Sequence, residues 1–401
     1  MFLVINILGI FVFLGIGVLF SKRRNEIKWN SIKVLLLVNV LLAGFFIYLP
    51  VGRELVITVA GALTWLLEVS YSGISLVFGE WAKPVGSNVN FFMGVLLPLL
   101  LVVPLFDILT YFGILPAIIR VLGNLMALIT RQPKFEAFYA VEMVILGGIK
   151  SLAVSTLQLK RMKADRNLTI AMMTLSGTSA AVLVAYMQML PPEYVIAAPP
   201  LNMISALLIT NLLHPVRLSE EEDVVAKLDD GDKEGEPFFS YLSGSIAAAG
   251  RMVLVIAATL VAFVGILTLV DKCFMMLHPS FTLEAVLGYV MFPFAWLLGL
   301  SSPEAFQMAQ YMGLKLVTNE FVVMHQVKDI VEGFTPHMQC VLTVFLTSFA
   351  NFSAVGVING IFRGIADDSK RDFIARNTGY IVLAGLLASL MSASVAGLFV
   401  W

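Results

Sequence analysis

Two apolar segments of membrane length are each interrupted by a short polar run, and these interruptions strongly constrain the fold. Ser176-Gly177-Thr178-Ser179 lies inside Ala171–Leu190, and Ser348-Phe349-Ala350-Asn351-Phe352-Ser353 lies inside Val341–Phe362. Backbone freed by such a break is tolerated at membrane depth only where it is buried in protein or lines a cavity. Broken helices at matching positions of two halves are typical of a transport site at the membrane midplane. The chain is therefore predicted to form two related halves around a central site.

The composition indicates a membrane protein. Of 401 residues, 59% are hydrophobic and only 13% are charged, whereas soluble domains average about 25% charged residues. The net charge of −1 provides no basic surface for nucleic acid. Two cysteines, Cys273 and Cys340, are too few for a disulfide framework or a thiolate metal site. The sequence has no HExxH motif and no phosphate-binding loop, so we expect neither an enzyme nor a metal or cofactor site.

Eight segments are predicted to cross the membrane, because each contains a largely apolar run near the required length of about 20 residues. They are Phe2–Phe20, Val34–Leu49, Asn90–Phe112, Leu168–Leu190, Leu201–Leu213, Gly244–Val270, Gln339–Phe362 and Tyr380–Trp401. Positive residues follow the first segment rather than precede it, so it is predicted to be a retained membrane helix and not a secretory signal.

Other segments are too polar or too broken to cross the membrane simply. Arg53–Gly79, Leu115–Thr130 and Thr282–Leu298 are predicted to lie along the interface as amphipathic helices. Phe135–Lys160 and Ser301–Gly333 each place two apolar arms around a polar or glycine-containing middle, which predicts two re-entrant hairpins.

The predicted fold is an all-α polytopic membrane protein with an inverted repeat. Residues 1–130 are expected to form a scaffold of three membrane helices and interfacial helices. Residues 215–300 add a linker at Arg217–Pro237, a long scaffold helix and an interfacial helix. Residues 131–214 and 301–401 each follow the order hairpin, broken helix, helix, as the two halves of a transport domain would.

The distribution of positive charge predicts the orientation. Ser21–Lys33, Lys160–Arg166 and Arg363–Arg376 are rich in lysine and arginine, whereas Pro191–Pro200 and Asp271–Phe281 contain one such residue between them. Cytoplasmic loops carry the positive excess. Both termini are therefore predicted to lie outside.

Two residues near the second interruption are suited to binding a polyhydroxylated solute. Glu320 lies in an apolar segment, where a carboxylate is expensive unless it is paired or solvated, so a functional role is favoured. Its alternative role is a structural ion pair with Lys315. Asn351 adds a donor and acceptors, and carboxylate oxygens accept hydrogen bonds from hydroxyls.

Lys150 follows a glycine pair in the first hairpin. It can donate to a ligand acceptor, pair with a nearby carboxylate such as Glu142 or Glu320, or extend to the cytoplasmic interface. Phe349, in the second interruption, can stack on a flat ligand or simply pack.

Three further carboxylates are predicted to lie within or near the membrane. Glu304 is expected to cap the opening helix of the second hairpin, with gating or proton coupling as a second role. For Asp107 and Glu142, structural salt bridging and proton relay are both open.

The motifs Ser302-Pro303-Glu304-Ala305, Asn319-Glu320-Phe321 and Phe349-Ala350-Asn351-Phe352-Ser353 resemble those of the concentrative nucleoside transporter family. The resemblance extends over nearly the whole chain. It implies a homotrimer in a bacterial plasma membrane, with a mobile transport domain that carries nucleosides by an elevator-like mechanism.

The resemblance also assigns the site. It implies that Glu320 and Asn351 bind ribose hydroxyls and that Phe349 lies near the base. By the same resemblance, the remaining substrate-binding residues are Gly148, Ile149, Lys150, Asn319 and Ser353.

The first hairpin departs from the family pattern. Gly147-Gly148-Ile149-Lys150 stands where the family usually has Gly-Gln-Ser/Thr-Glu. A lysine, which only donates, suits the O6 and N7 acceptors of a purine, and loss of the glutamine side chain would leave room for a larger ring. Purine nucleosides are therefore the predicted substrates.

A second departure concerns the coupling ion. Met143 and Ala181 align with positions near which sodium-coupled members place side-chain oxygens, so proton coupling is predicted, with Glu142, Glu304 and Glu320 as candidate carriers. Ser353 can compensate for a family serine replaced at position 354. The alternatives are a sodium-coupled or broad-specificity nucleoside carrier, and a carrier of free nucleobases.

Overall fold

The computed structural model describes residues 1–82, 90–216, 223, 236–277, 282–365 and 368–401, and their regular secondary structure is helical. The helices are α1 Phe2–Leu19, α2 Trp29–Ala43, α3 Pro50–Phe78, α4 Leu99–Tyr111, α5 Ile114–Thr130, α6 Lys134–Ile145, α7 Gly148–Val154, α8 Thr156–Arg161, α9 Ala164–Thr174, α10 Ala180–Tyr186, α11 Pro192–Leu213, α12 Phe238–Leu277, α13 Leu283–Trp296, α14 Ser302–Val317, α15 Glu320–Val327, α16 Pro336–Leu346, α17 Phe352–Ile365, α18 Asp368–Arg376 and α19 Thr378–Gly397. Short π-helical turns at Gly44–Tyr48 and Phe92–Leu96 extend α2 and precede α4. Most of the predicted linker, Arg217–Pro237, lies outside the described residues.

All eight predicted spans correspond to helices. Six of them coincide with continuous helices long and apolar enough to cross a membrane, namely α1, α2, α4, α11, α12 and α19 with their π-helical extensions. The other two are the broken pairs α9/α10 and α16/α17. One boundary was wrong, because α11 begins at Pro192 and not at Leu201. Prolines 199 and 200 lie inside this helix, and neighbouring helices can supply partners for backbone groups freed by an intramembrane proline.

The three segments predicted to be interfacial are also helices. Two of them, α5 and α13, have 17 and 14 residues and are shorter than a simple membrane span. The third, α3, has 29 residues and, by length and composition alone, could cross a membrane. Its interfacial position stays a prediction.

The two hairpins are present where the sequence predicts them. In the first, α6 ends before a turn at Leu146-Gly147, and α7 and α8 return. Gly147 has φ +88°, and a Cβ there would lie 2.9 Å from Ser179 Cβ, so this turn requires glycine. In the second hairpin, α14 turns at Thr318-Asn319 into α15.

The two helix breaks lie against each other in the core. Thr178 Oγ1 in the first break donates to the Thr347 carbonyl oxygen in the second at 3.4 Å. Asn202 Nδ2 of α11 donates to the same oxygen at 2.5 Å. The break carbonyl released from α16, in the second half, is therefore satisfied by two donors from the first half.

The positively charged loops lie together at one end of the molecule. Lys22 donates to Asn377 Oδ1, and Arg23 Nη2 lies 2.7 Å from Asp165 Oδ2. At the opposite end of α1, a Cβ on Gly299 would lie 2.8 Å from the Phe2 carbonyl oxygen and from the Trp401 ring. Since α1 has 18 residues, it separates these two ends by about 27 Å.

Candidate functional site

Glu320 is the first residue of α15 and is only 1% exposed. Tyr186 Oη, at the end of α10, donates to Glu320 Oε1 at 2.9 Å. Asn351 Nδ2, in the second break, donates to Glu320 Oε2 at 3.1 Å. The second hairpin and both broken helices thus meet at one carboxylate.

Two asparagines cap the half-helices at this point. Asn319 Oδ1 accepts from the Val322 backbone N–H at 3.1 Å at the start of α15. Asn351 Oδ1 accepts from Ala354 N and from Ser353 Oγ, each at 2.8 Å. An N-cap asparagine satisfies a free backbone donor, and the helix end next to it carries partial positive charge. Both helix starts therefore favour acceptor groups such as the Glu320 carboxylate.

Lys315 is fully buried but does not bond to Glu320. Its Nζ donates to the Phe345 carbonyl oxygen at 2.5 Å and to Ser348 Oγ at 2.6 Å. Ser348 Oγ lies 2.7 Å from Ser389 Oγ of α19. Lys315 therefore forms no direct hydrogen bond with Glu320, because its ammonium holds the freed backbone at the end of α16. The two buried charges still act on each other electrostatically, so neutralisation of Glu320 by Lys315 stays an alternative.

The aromatic residues of the second break differ in exposure. Phe349 is half-buried and packs against the apolar core, whereas Phe352 is exposed. Ser353 is exposed, and its hydroxyl contacts the side chain of the Asn351 cap. Stacking of Phe349 on a base stays a prediction.

Lys150 pairs with a residue outside the hairpins. Its Nζ forms an ion pair with Asp107 of α4, and Ser245 Oγ of α12 donates to Asp107 Oδ2 at 2.6 Å. Lys150 therefore pairs with a carboxylate, but the partner is Asp107 and not Glu142 or Glu320, and Asp107 is a salt-bridged carboxylate. The bridge joins the first hairpin to two predicted scaffold helices.

The turn of the first hairpin is tightly packed. A Cβ on Gly148 would lie 2.2 Å from the Thr174 carbonyl oxygen, so the expected open space at Gly148 is not there. Tyr139 Oη bonds to Thr174 Oγ1 at 2.7 Å and to the Gly148 carbonyl oxygen at 3.2 Å. Ile149 is half-buried.

Met143 fills the space between this turn and the first break. A Cβ on Gly177 would lie 2.9 Å from Met143 Cβ and 3.1 Å from Gly148 N. Met143 and Ala181 are both buried, and neither side chain brings an oxygen to this region.

The remaining two candidate carboxylates have different surroundings. Glu304 accepts from Ser301 N at 3.1 Å, Ser301 Oγ at 2.6 Å and Thr335 Oγ1 at 2.6 Å. This confirms its role as a cap of α14. Glu142 is fully buried, and among the described residues its one donor is Ser155 Oγ, at 3.0 Å.

Sequence reasoning missed Tyr186 and the Phe345 contact of Lys315. A signal for Tyr186 existed, because a tyrosine ends the broken helix in which the first interruption lies. A buried tyrosine hydroxyl needs a partner, but the sequence does not say that the partner is 134 residues away.

Comparison with known proteins identifies the family. Two family models, the N-terminus and the C-terminus of the Na+ dependent nucleoside transporter, match residues 8–81 and 194–397. The chain belongs to the concentrative nucleoside transporter family. A nucleoside transporter of this family is a multi-pass membrane protein, which agrees with the helices described above.

Two bacterial relatives match this nucleoside transporter over nearly its full length. The purine nucleoside transport protein NupG of Bacillus subtilis is 37% identical over 401 residues, which is 100% of both chains. The nucleoside permease NupC of Helicobacter pylori is 24% identical over 412 residues, covering 98% of this chain and 97% of that one.

Solved structures of CNTnw share the fold. CNTnw in an inward-facing substrate-bound state gives a TM-score of 0.92 at 25% identity, covering 100% of this transporter and 98% of that chain. A CNTnw variant in an outward-facing state also gives 0.92, at 24% identity, covering 100% and 99%.

Proposed function

We propose that this transporter imports purine nucleosides, driven by a proton gradient, through elevator-like alternating access. The observation that carries the proposal is the buried Glu320 carboxylate, which receives donors from two different broken helices. A ribose presents two neighbouring hydroxyls, which are donors of the same kind. Substrate hydroxyls can take the places of Tyr186 and Asn351 without leaving the carboxylate unpaired.

The ribose contact predicts a large effect of one amide substitution. Glu320→Gln removes charge and one acceptor, and hydrogen bonds to charged groups contribute about 1.5–3 kcal/mol each. Inosine binding, measured by titration calorimetry on purified protein, should weaken at least about 100-fold. Glu332→Gln is the matched control, because Glu332 is exposed on the segment after α15. Unchanged inosine affinity in Glu320→Gln would contradict the ribose role.

Purine preference is supported by Lys150 and by the name of the Bacillus relative. The Lys150 side chain is 41% exposed, so its ammonium is accessible to a purine O6 or N7 acceptor if it exchanges with Asp107. Uptake of labelled inosine, guanosine, uridine and cytidine into proteoliposomes tests this preference. Equal uptake of uridine and inosine would refute it, and uptake of hypoxanthine would instead favour a nucleobase carrier.

Proton coupling is supported by Met143 and Ala181, which stand near the positions where sodium-coupled members of the family place side-chain oxygens. Sodium needs several oxygen ligands, whereas Met143 offers a thioether and Ala181 a methyl group. The matching family models are described as Na+ dependent, so sodium is the alternative coupling ion. Uptake under separate proton and sodium gradients decides between them, and sodium dependence at fixed pH would refute proton coupling.

We also propose a homotrimer in a bacterial plasma membrane with both termini outside. The grouped positive loops support a cytoplasmic position for that end. On α12, Leu254, Val261 and Leu269 are more than half exposed in the single chain, which supports an apolar subunit contact. Cross-linking in membranes and labelling of cysteines introduced near each end test the two proposals separately.

A further inference from the structure

Two buried glutamates on α6 have opposite surroundings. Glu136 is 5% exposed, and Arg166 Nε and Nη2 bond to its two oxygens at 2.7 Å each. Glu142 is 0% exposed and has one donor, Ser155 Oγ. Glu142 Oε1 has no hydrogen-bond partner among the described residues. The same helix thus carries one fully compensated carboxylate and one that is nearly uncompensated.

The charged and titratable side chains on the elements around Glu142 are engaged elsewhere or exposed. On its own helix, Tyr139 is the titratable neighbour that acts on it electrostatically, and its hydroxyl bonds to Thr174. The engaged groups on α7, α9, α10 and α11 are Lys150 with Asp107, Arg166 with Glu136, Asp165 with Arg23, Tyr186 with Glu320, and His214 with Thr169. The half-buried Tyr194 lies near Cys340 and Glu193. The exposed groups are Arg120, Arg131, Lys160, Arg161, Lys163 and Glu193.

The three candidate carriers are therefore not equivalent. Glu320 has a donor on each oxygen and lies at a helix N-terminus, and Glu304 has three donors. Donors to the charged form favour ionisation. Within the described part of the chain, Glu142 has one hydroxyl donor and no cation beside it, and a buried carboxylate in that state is costly unless it takes up a proton.

We propose that Glu142 is the proton-binding site that couples the gradient to transport; this inference rests on the proposed proton coupling. The proton binds at Oε1, taken from water on the outside, and is released from the same oxygen to water on the cytoplasmic side. Two further buried hydroxyls, Ser151 and Ser176, have no hydrogen-bond partner in the part of the chain that the structure describes, and they belong to this hairpin and to the break that packs on it. They provide polar groups for water to reach the region.

The position of Glu142 links its protonation to the hairpin. Its donor, Ser155, lies on the returning arm between α7 and α8, so the Glu142–Ser155 bond joins the two arms. The next residue, Met143, packs against the turn and the first break. Adding a proton weakens the Ser155 bond, because a neutral carboxyl is a poorer acceptor. The occupied state can then close and move without an uncompensated buried charge at Glu142.

Glu142→Gln tests the proposal, because the amide imitates the protonated acid. In proteoliposomes, exchange of labelled for unlabelled inosine should stay within about twofold of wild type, whereas accumulation driven by a pH gradient should fall at least about tenfold. Glu332→Gln should retain both. Accumulation at the wild-type level in Glu142→Gln overturns the proposal. If the wild-type protein accumulates inosine under a sodium gradient and not under a proton gradient, the proposed proton coupling itself is refuted. That result is distinct from a failure of the Glu142 assignment.

Two further measurements keep the test decisive if Glu142→Gln does not transport. Inosine-induced proton uptake, measured with purified protein in weak buffer, should occur in wild type and be absent in Glu142→Gln; its retention overturns the proposal. Ser155→Ala removes the donor to the charged form, so the pH at half-maximal uptake should rise. An unchanged midpoint would contradict the site, since a merely structural serine would not move it.

Discussion

The bridge between Lys150 and Asp107 gives a prediction about movement. It joins the first hairpin to α4, and Ser245 connects the same carboxylate to α12. In an elevator-like movement of the transport domain against the scaffold, this contact must break. Lys150→Met and Asp107→Asn should each lower the population of the present conformation relative to the others.

The magnitude follows from the exposure of the two side chains. Hydrogen bonds to charged groups contribute about 1.5–3 kcal/mol when well shielded, and exposed ion pairs about 0–1 kcal/mol. The side chain of Lys150 is 41% exposed and that of Asp107 is 11% exposed. We therefore expect about 1 kcal/mol for the bridge, which is about a fivefold change in an equilibrium.

Electron paramagnetic resonance measures the population shift. Spin labels on cysteines introduced at two exposed positions, Lys160 on the returning hairpin arm and Leu254 on α12, would report the distance between the first hairpin and α12. The exposed Cys273 is replaced by alanine in all samples. Lys328→Met is the control, because Lys328 pairs with the exposed Asp329.

The double variant carries the decisive result. If the two side chains act through one bridge, Lys150→Met with Asp107→Asn should shift the population no more than either alone. Simple addition of the two effects, or wild-type distances in both single variants, would refute the reasoning. The same variants separate movement from base recognition. Lys150→Met should lower the ratio of inosine to uridine uptake, whereas Asp107→Asn should preserve or raise it.

Three stability predictions follow from single contacts, each measured as thermal unfolding in detergent. Lys315→Met should destabilise by about 1–3 kcal/mol, because a break carbonyl loses its donor; an unchanged melting temperature would contradict this. Gly147→Ala should cost at least about 1–2 kcal/mol for its positive φ, whereas Gly333→Ala, with open space around it, should cost less. Arg166→Met should cost about 3–5 kcal/mol by leaving Glu136 buried and unpaired, and adding Glu136→Gln should recover part of that loss.

The helix breaks and hairpins were predictable because their causes are local. Polar residues and glycines interrupt long apolar runs, and the asparagines at the starts of α15 and α17 each satisfy a backbone donor within three residues. Glu304 was placed correctly as a cap for the same reason, since its contacts to Ser301 lie within one turn. The α11 boundary was wrong because Pro199 and Pro200 lie inside this helix, where neighbouring helices can supply partners for the backbone groups that a proline frees.

The partners of the buried charges were not predictable. A carboxylate was one of the expected partners of Lys150, but the sequence did not indicate Asp107, which lies 43 residues away on another helix. Lys315 lies five residues from Glu320 but contacts the second break instead. In an apolar environment every charge needs a partner, yet this requirement does not specify which one.

The sequence by itself determined that the chain is a membrane protein, where its helices break and which family it resembles. The length of an apolar segment, the capping of a helix and a sequence motif each depend on residues that are close together along the chain. Only the tertiary structure decided that Tyr186 and Asn351 converge on Glu320, that Lys150 pairs with Asp107 of α4 and that Glu142 has a single hydroxyl donor among the described residues. These outcomes depend on which helices pack together. The pairing of a buried polar atom is a property of distance in space, and separation along the chain does not encode it.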